Sequence, residues 1–220
     1  HWMNGKRFLA PDLLGVGDPI LYQLYVFILQ RLTGENRFLI ALACGLLSAI
    51  MPWTYYRAAR ELRLSANAAR IVWALIAWMP SLVTVYHYFM METLLIALIG
   101  AAFWMSARHL RKGTTKSFLA AVACWTLVFL TKTVAVPLAM VALGYIGWIS
   151  AASDPSVGGK SRKWTPFLLG TGLVLLMLTP NAIRTWRYLK WMAPLGNPWM
   201  AKIHHRSGAR TIEVYYGKLK

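Results

Sequence analysis

The chain has 220 residues, 58% of them apolar and 14% charged, a mean hydropathy of +0.47 and a net charge of +17 from 24 Lys and Arg against seven acids. A soluble domain carries roughly 25% charged residues, so this composition excludes an ordinary soluble fold, a disordered tail and a disulfide scaffold. The basic residues alternate with long uncharged runs, which excludes a nucleic-acid module on exposed basic helices and points to a membrane protein.

The chain opens on His1 and shows no signal-peptide order of basic, apolar and small residues. It reads as a fragment, with part of any site upstream. Residues 19–33 predict a helix of about 22 Å, short of the ~30 Å hydrocarbon core, and so an amphipathic helix lying at the interface. Asp18 is its cap, Pro19 its first turn and Gly34 its stop, and Gln23 and Gln30 share one face.

Residues 38–56, between Arg37 and Arg57, predict the first span. Residues 71–91 are also uncharged, but Pro80 divides them into a helix ending near Met79 and another from about Met90 to Ala107. Residues 118–130 and 134–149 form two helices meeting at Lys132, and residues 164–180 the last span. Cys44 and Cys124 lie inside apolar runs and are expected as buried small residues. Trp53, Tyr55, Tyr56, Trp73, Trp148 and Trp164 fall near span ends as interfacial anchors. The expected fold is an all-α, polytopic transmembrane bundle of about six spans. Its transmembrane domain covers residues 1–180, with residues 1–35 as an external loop, and residues 181–220 form an external tail.

Three loops rich in Lys and Arg alternate around these spans, at Arg57 to Arg70, Arg108 to Lys116 and Lys160 to Lys163. The positive-inside rule places them on the cytoplasmic side. The turn from Pro80 to Glu92, Lys132 and the tail then face outward. Glu61 and Asp154 fall in the cytoplasmic loops and are expected as solvated charges.

Glu92 precedes a wholly apolar helix at the outer boundary. It either complements the helix N-terminus, worth about 0.3–1 kcal/mol, or orients or deprotonates a hydroxyl beside the membrane. Lys132, alone between two apolar helices, either snorkels to the interface or pairs with a lipid phosphate. Arg184 and Arg187, three apart on one helical face, are open to the same two roles. His204, His205 and Arg206 form the histidine cluster, but neighbouring side chains diverge too far for a metal site. The chain has no Gly-rich phosphate loop, zinc spacing or hydrolase elbow.

Residues 1–34, HWMNGKRFLAPDLLGVGDPILYQLYVFILQRLTG, resemble the first external loop of the GT-C membrane glycosyltransferases, particularly the protein O-mannosyltransferase and lipid A aminoarabinose transferase branch. The resemblance continues through Met79-Pro80, Met91-Glu92-Thr93-Leu94, Leu130-Thr131-Lys132 and Thr179-Pro180 followed by Arg184, and so spans nearly the whole chain. It implies transfer of a sugar from a polyprenyl-phosphate carrier to a lipid, glycan or protein acceptor on the non-cytoplasmic face. It also implies an integral protein of a bacterial-type inner membrane, serving the cell envelope, with membrane lipids and no nucleic acid among its partners. Glu92 matches the family's acid at the head of this helix, and Lys132 and Arg184 match basic positions near the carrier phosphate. Arg187 and Asp18 are further candidates for substrate binding. No cofactor is implied, and a divalent metal stays open. Two departures stand out: the family's first span and its main acid would precede His1, and Gly17-Asp18-Pro19 replaces a basic residue before the proline. The alternatives are a lipid or glycolipid transporter and a non-catalytic membrane assembly partner.

Overall fold

A computed structural model of the chain describes residues 20–34, 36–78, 91–132, 135–152 and 165–189, and among these every regular element is a helix. They are α1 (Ile20–Thr33), α2 (Arg37–Glu61), α3 (Ala66–Trp78), α4 (Met91–Lys112), α5 (Thr115–Thr131), α6 (Val136–Ala152) and α7 (Thr165–Leu189). The fold is the all-α membrane bundle expected from the sequence. By length and composition α2, α4 and α7 can cross a membrane, whereas α3, α5 and α6 are shorter apolar helices.

Local chemistry sets the helix ends. Gly34 stops α1 in a left-handed turn with φ +57°. Asn36 then caps α2, its side-chain oxygen accepting from the amides of Phe38 at 2.9 Å and Leu39 at 3.3 Å. Gly113, at φ +63°, ends α4, and the Thr114 hydroxyl caps α5 by accepting from the Ser117 amide. At the far end of α5 the backbone becomes extended at Lys132. Lys132 is thus the break between two helices, as its place in the sequence suggests.

The helices outrun their predicted spans: α2 continues to Glu61, α4 to Lys112, α6 to Ala152 and α7 through Pro180 to Leu189, while α3 begins at Ala66 and α5 at Thr115. An apolar run marks where the hydrocarbon core ends, not where the helix does. Charged residues extend a helix into the interface, and basic ones such as Arg111 and Lys112 suit its C-terminal dipole. Pro180 forfeits one backbone hydrogen bond without breaking the helix, a tolerance common in membrane helices.

Close packing depends on small residues. A Cβ at Gly100 would overlap the Thr54 hydroxyl and sit 2.6 Å from Cε2 of Tyr55, so glycine is what lets α4 cross α2. The Tyr55 hydroxyl donates to the Ile96 carbonyl at 3.3 Å, which ties this residue into the crossing rather than leaving it an interfacial anchor. At Gly170 of α7 a Cβ would lie 2.8 Å from Cε1 of Phe118 on α5. The core between these contacts centres on Trp125, which is fully buried with Val128, Ala121 and Ala139 around it. Its indole donates to the Ser106 hydroxyl at 3.0 Å. Cys44 is buried and Cys124 partly buried, both as free thiols. Helix α3 leans chiefly on α2, whereas α1 lies across α2 and α5.

Candidate functional site

The 22 residues of α4 extend about 33 Å, enough to separate its two ends by a full hydrocarbon core. Its first turn carries Glu92, and the end of α5 carries Lys132. The Lys132 ammonium donates to Oε1 of Glu92 at 2.5 Å, with about a third of each side chain exposed, 31% and 32%. The structure therefore joins two residues forty positions apart, and each has the other as its partner. Glu92 is more than a complement to a helix dipole, and Lys132 does more than snorkel. An ammonium has three donors, so one bond to Glu92 leaves capacity for an incoming anion.

Arg184, on α7, reaches α1. Its Nη2 donates to Oε1 of Gln23 at 2.6 Å, across 161 positions of sequence. Gln23 is fully buried, as is Thr185, and Asn181 is nearly so. A buried amide costs free energy unless it is bonded, so this contact fixes both α1 and the guanidinium. Helix α1 also links Arg184 to the ion pair. Tyr22 and Val26, on either side of Gln23, pack against Leu94, two residues beyond Glu92. Tyr25 lies 3.7 Å from the Cys44 thiol, and burial raises its phenol above the ordinary tyrosine range, so it stays neutral.

Glu92, Lys132 and Arg184, the candidates legible in the sequence, lie at one end of the bundle, whereas Gln23, the partner of Arg184, is not legible there. The only signal was that Gln23 and Gln30 share a helix face; both are buried. Arg187 does not share the setting of Arg184: it is exposed while Arg184 is half-buried. Asp18 and the His204–His205 pair lie outside the described residues. Among the described residues no three His, Cys, Asp or Glu side chains gather to hold a metal ion. Among the described residues, the charged groups that these contacts hold at this end are the Glu92–Lys132 pair and the Arg184 guanidinium.

The opposite end of α4 holds a second polar set, one with no conspicuous signal in the sequence. His109 is 5% exposed, with Nδ1 3.2 Å from the Ser117 hydroxyl and Nε2 2.7 Å from that of Ser150. Neutral imidazole has one donor and one acceptor nitrogen, so the ring can bridge α4, α5 and α6. Glu61 corrects an expectation. It is not a solvated loop charge but lies buried, with Arg111 Nε 2.7 Å from its carboxylate, an ion pair between α2 and α4. A sequence places Glu61 at the end of a span but does not show that a neighbouring helix covers it.

Comparison with known proteins gives one match. The family model described as dolichyl-phosphate-mannose-protein mannosyltransferase covers residues 18–184, well over half of the chain. It takes in Gln23, Glu92, Lys132 and Arg184 and stops short of Arg187. No curated protein and no solved structure matches.

Proposed function

The chain belongs to the dolichyl-phosphate-mannose-protein mannosyltransferase family, a membrane glycosyltransferase family, and from that premise we propose that it moves a sugar from a polyprenyl-phosphate carrier to an acceptor on the non-cytoplasmic face. The observation that carries this reading is the Glu92–Lys132 pair, held at the end of the bundle where α1 also binds Arg184. The face follows from charge. Eight Lys and Arg in residues 57–70 and 108–116 lie at the other end, which the positive-inside rule makes cytoplasmic. In this reading the membrane is a bacterial-type plasma membrane and the acceptor a protein, lipid or glycan.

The carrier phosphate docks on Lys132 and Arg184. The acceptor nucleophile attacks the anomeric carbon, the bond from that carbon to the phosphate oxygen breaks, and its electron pair leaves with the phosphate. Lys132 and Arg184 offset the charge that builds on the leaving group. Glu92 accepts a hydrogen bond from the nucleophile or takes its proton. Because one ammonium serves both Glu92 and the phosphate, donor binding draws Lys132 partly from the carboxylate and frees Glu92 to face the acceptor.

The test uses membranes containing the complete protein and a panel of labelled polyprenyl-phosphate sugars. Label should pass to an acceptor from at least one donor, and Glu92→Gln should slow that transfer. Undiminished transfer by Glu92→Gln would remove this residue from the site, and failure of every donor would refute the reading.

A further inference from the structure

An apolar recess of about 570 Å³ lies beside the C-terminal half of α4, toward the end away from the Glu92–Lys132 pair. Phe103, Ala107 and Leu110 of α4 line it together with Trp125 of α5, Ala58 of α2, Val72 of α3 and Val141 of α6. Its volume falls within the range of about 300–1,000 Å³ usual for sites that enclose a ligand. Polar atoms are scarce there. The Ser106 hydroxyl, one of the few, donates to the Ala102 carbonyl and accepts from Trp125. An occupant must therefore present hydrocarbon to this recess.

The recess ends at the basic end of the bundle, where Leu62 and Leu64 line it on either side of Arg63. Arg60 donates from Nη1 to the Leu64 carbonyl at 3.0 Å, which brings a second guanidinium to the rim. The acid of this region, Glu61, is already paired with Arg111. Arg63 adds an independent sign. It occupies a left-handed position, φ 64°, of the kind that follows a helix and is usually glycine. A side chain kept there at a backbone cost of roughly 1 kcal/mol or more is the kind of strain found at binding sites.

We propose that this recess binds an anionic phospholipid, one acyl chain along its α4 lining and the phosphate between Arg60 and Arg63. Basic rims between membrane helices suit such head groups, and each Lys or Arg near the charge contributes about five-fold in affinity. A zwitterionic lipid offers the same chains but brings a cationic group into a rim that is already positive. This site lies at the opposite end from the proposed transfer chemistry and does not depend on it.

The test is native mass spectrometry of the purified full chain, equilibrated with mixed micelles of phosphatidylglycerol and phosphatidylcholine. Phosphatidylglycerol should be retained in preference. Replacing both Arg60→Gln and Arg63→Gln should weaken its retention roughly thirty-fold. Val141→Trp, on a side chain that is 73% exposed and so leaves the core intact, should crowd the recess and weaken both lipids. Equal retention of the two lipids, or an unchanged double variant, would overturn the proposal. So would displacement of phosphatidylglycerol by polyprenyl phosphate, which would assign the recess to the sugar carrier.

Discussion

At one end of α4 Glu92 meets Lys132 with about a third of each side chain exposed, whereas near the other end His109 lies 5% exposed between two serine hydroxyls. Both sets join residues some forty positions apart, and both satisfy polar groups beside an apolar core. They differ in spare capacity. The His109 set is closed: one ring nitrogen donates to a serine hydroxyl, the other accepts from the second, and the ring has no further nitrogen. The Lys132 ammonium has donors beyond its bond to Glu92 and stands partly in solvent. A closed neutral set holds helices together, while an open charged set can also receive a ligand.

Breaking the open set should have the largest effect. Lys132→Ala is expected to slow sugar transfer about 10²–10³-fold, the usual cost of removing a group that stabilises transition-state charge. Lys132→Arg should recover much of it. Because Glu92 keeps access to water, the Lys132→Ala protein should melt close to the wild type. A large drop in melting temperature with normal transfer per folded molecule would make the pair structural and erase the contrast between the ends.

Away from that set the balance should reverse. Gly100→Leu forces a side chain into Thr54 and Tyr55 at the crossing of α2 and α4, and overpacking of this kind costs about 1–3 kcal/mol. His109→Leu removes the bridge among α4, α5 and α6 and should cost about 1–2 kcal/mol, within the range for buried groups that lose a partner. Both variants should lower thermal stability in detergent and leave transfer per folded molecule near normal. Loss of transfer by His109→Leu at full stability would show that this end also does chemistry.

Gln23→Leu probes the contact that local pattern does not reveal. Without the amide, the Arg184 guanidinium loses its hold on α1, and donor binding should weaken by about tenfold, the low end of the ~1.5–3 kcal/mol of a hydrogen bond to a charged group. The effect should fall on KM for the donor with kcat little changed. Gln23→Glu, which still offers Arg184 an acceptor, should retain tighter donor binding than Gln23→Leu. Equal losses in both variants would mean that α1 only packs.

These residues also show what a sequence makes legible. Apolar runs and their breaks placed the helices, Gly34 and Lys132 fell at the predicted boundaries, and the few charges in apolar surroundings pointed to Glu92, Lys132 and Arg184. Such signals are local: a charge in an apolar stretch is conspicuous whatever it touches. Gln23 is not conspicuous, because an amide on an amphipathic helix suits solvent as well as a buried arginine 161 positions away. Glu61 misled for the same reason, since its cover comes from α4 and not from its own neighbours. Helix ends beyond the hydrocarbon core, as at Leu189, leave no hydropathy signal at all.

The smallest expected effect has the opposite sign. Arg63→Gly should raise stability in lipid-free detergent by about 0.5–1 kcal/mol, because glycine takes φ 64° without the clash an L side chain meets, less its greater entropy when unfolded. The gain should appear as a higher melting temperature, with sugar transfer unchanged because the residue lies at the basic end. Added phosphatidylglycerol should then stabilise the variant less than the wild type. If Arg63→Gly gains nothing in lipid-free detergent, the left-handed turn is not strained, and Arg63 loses its claim to have been kept for its charge.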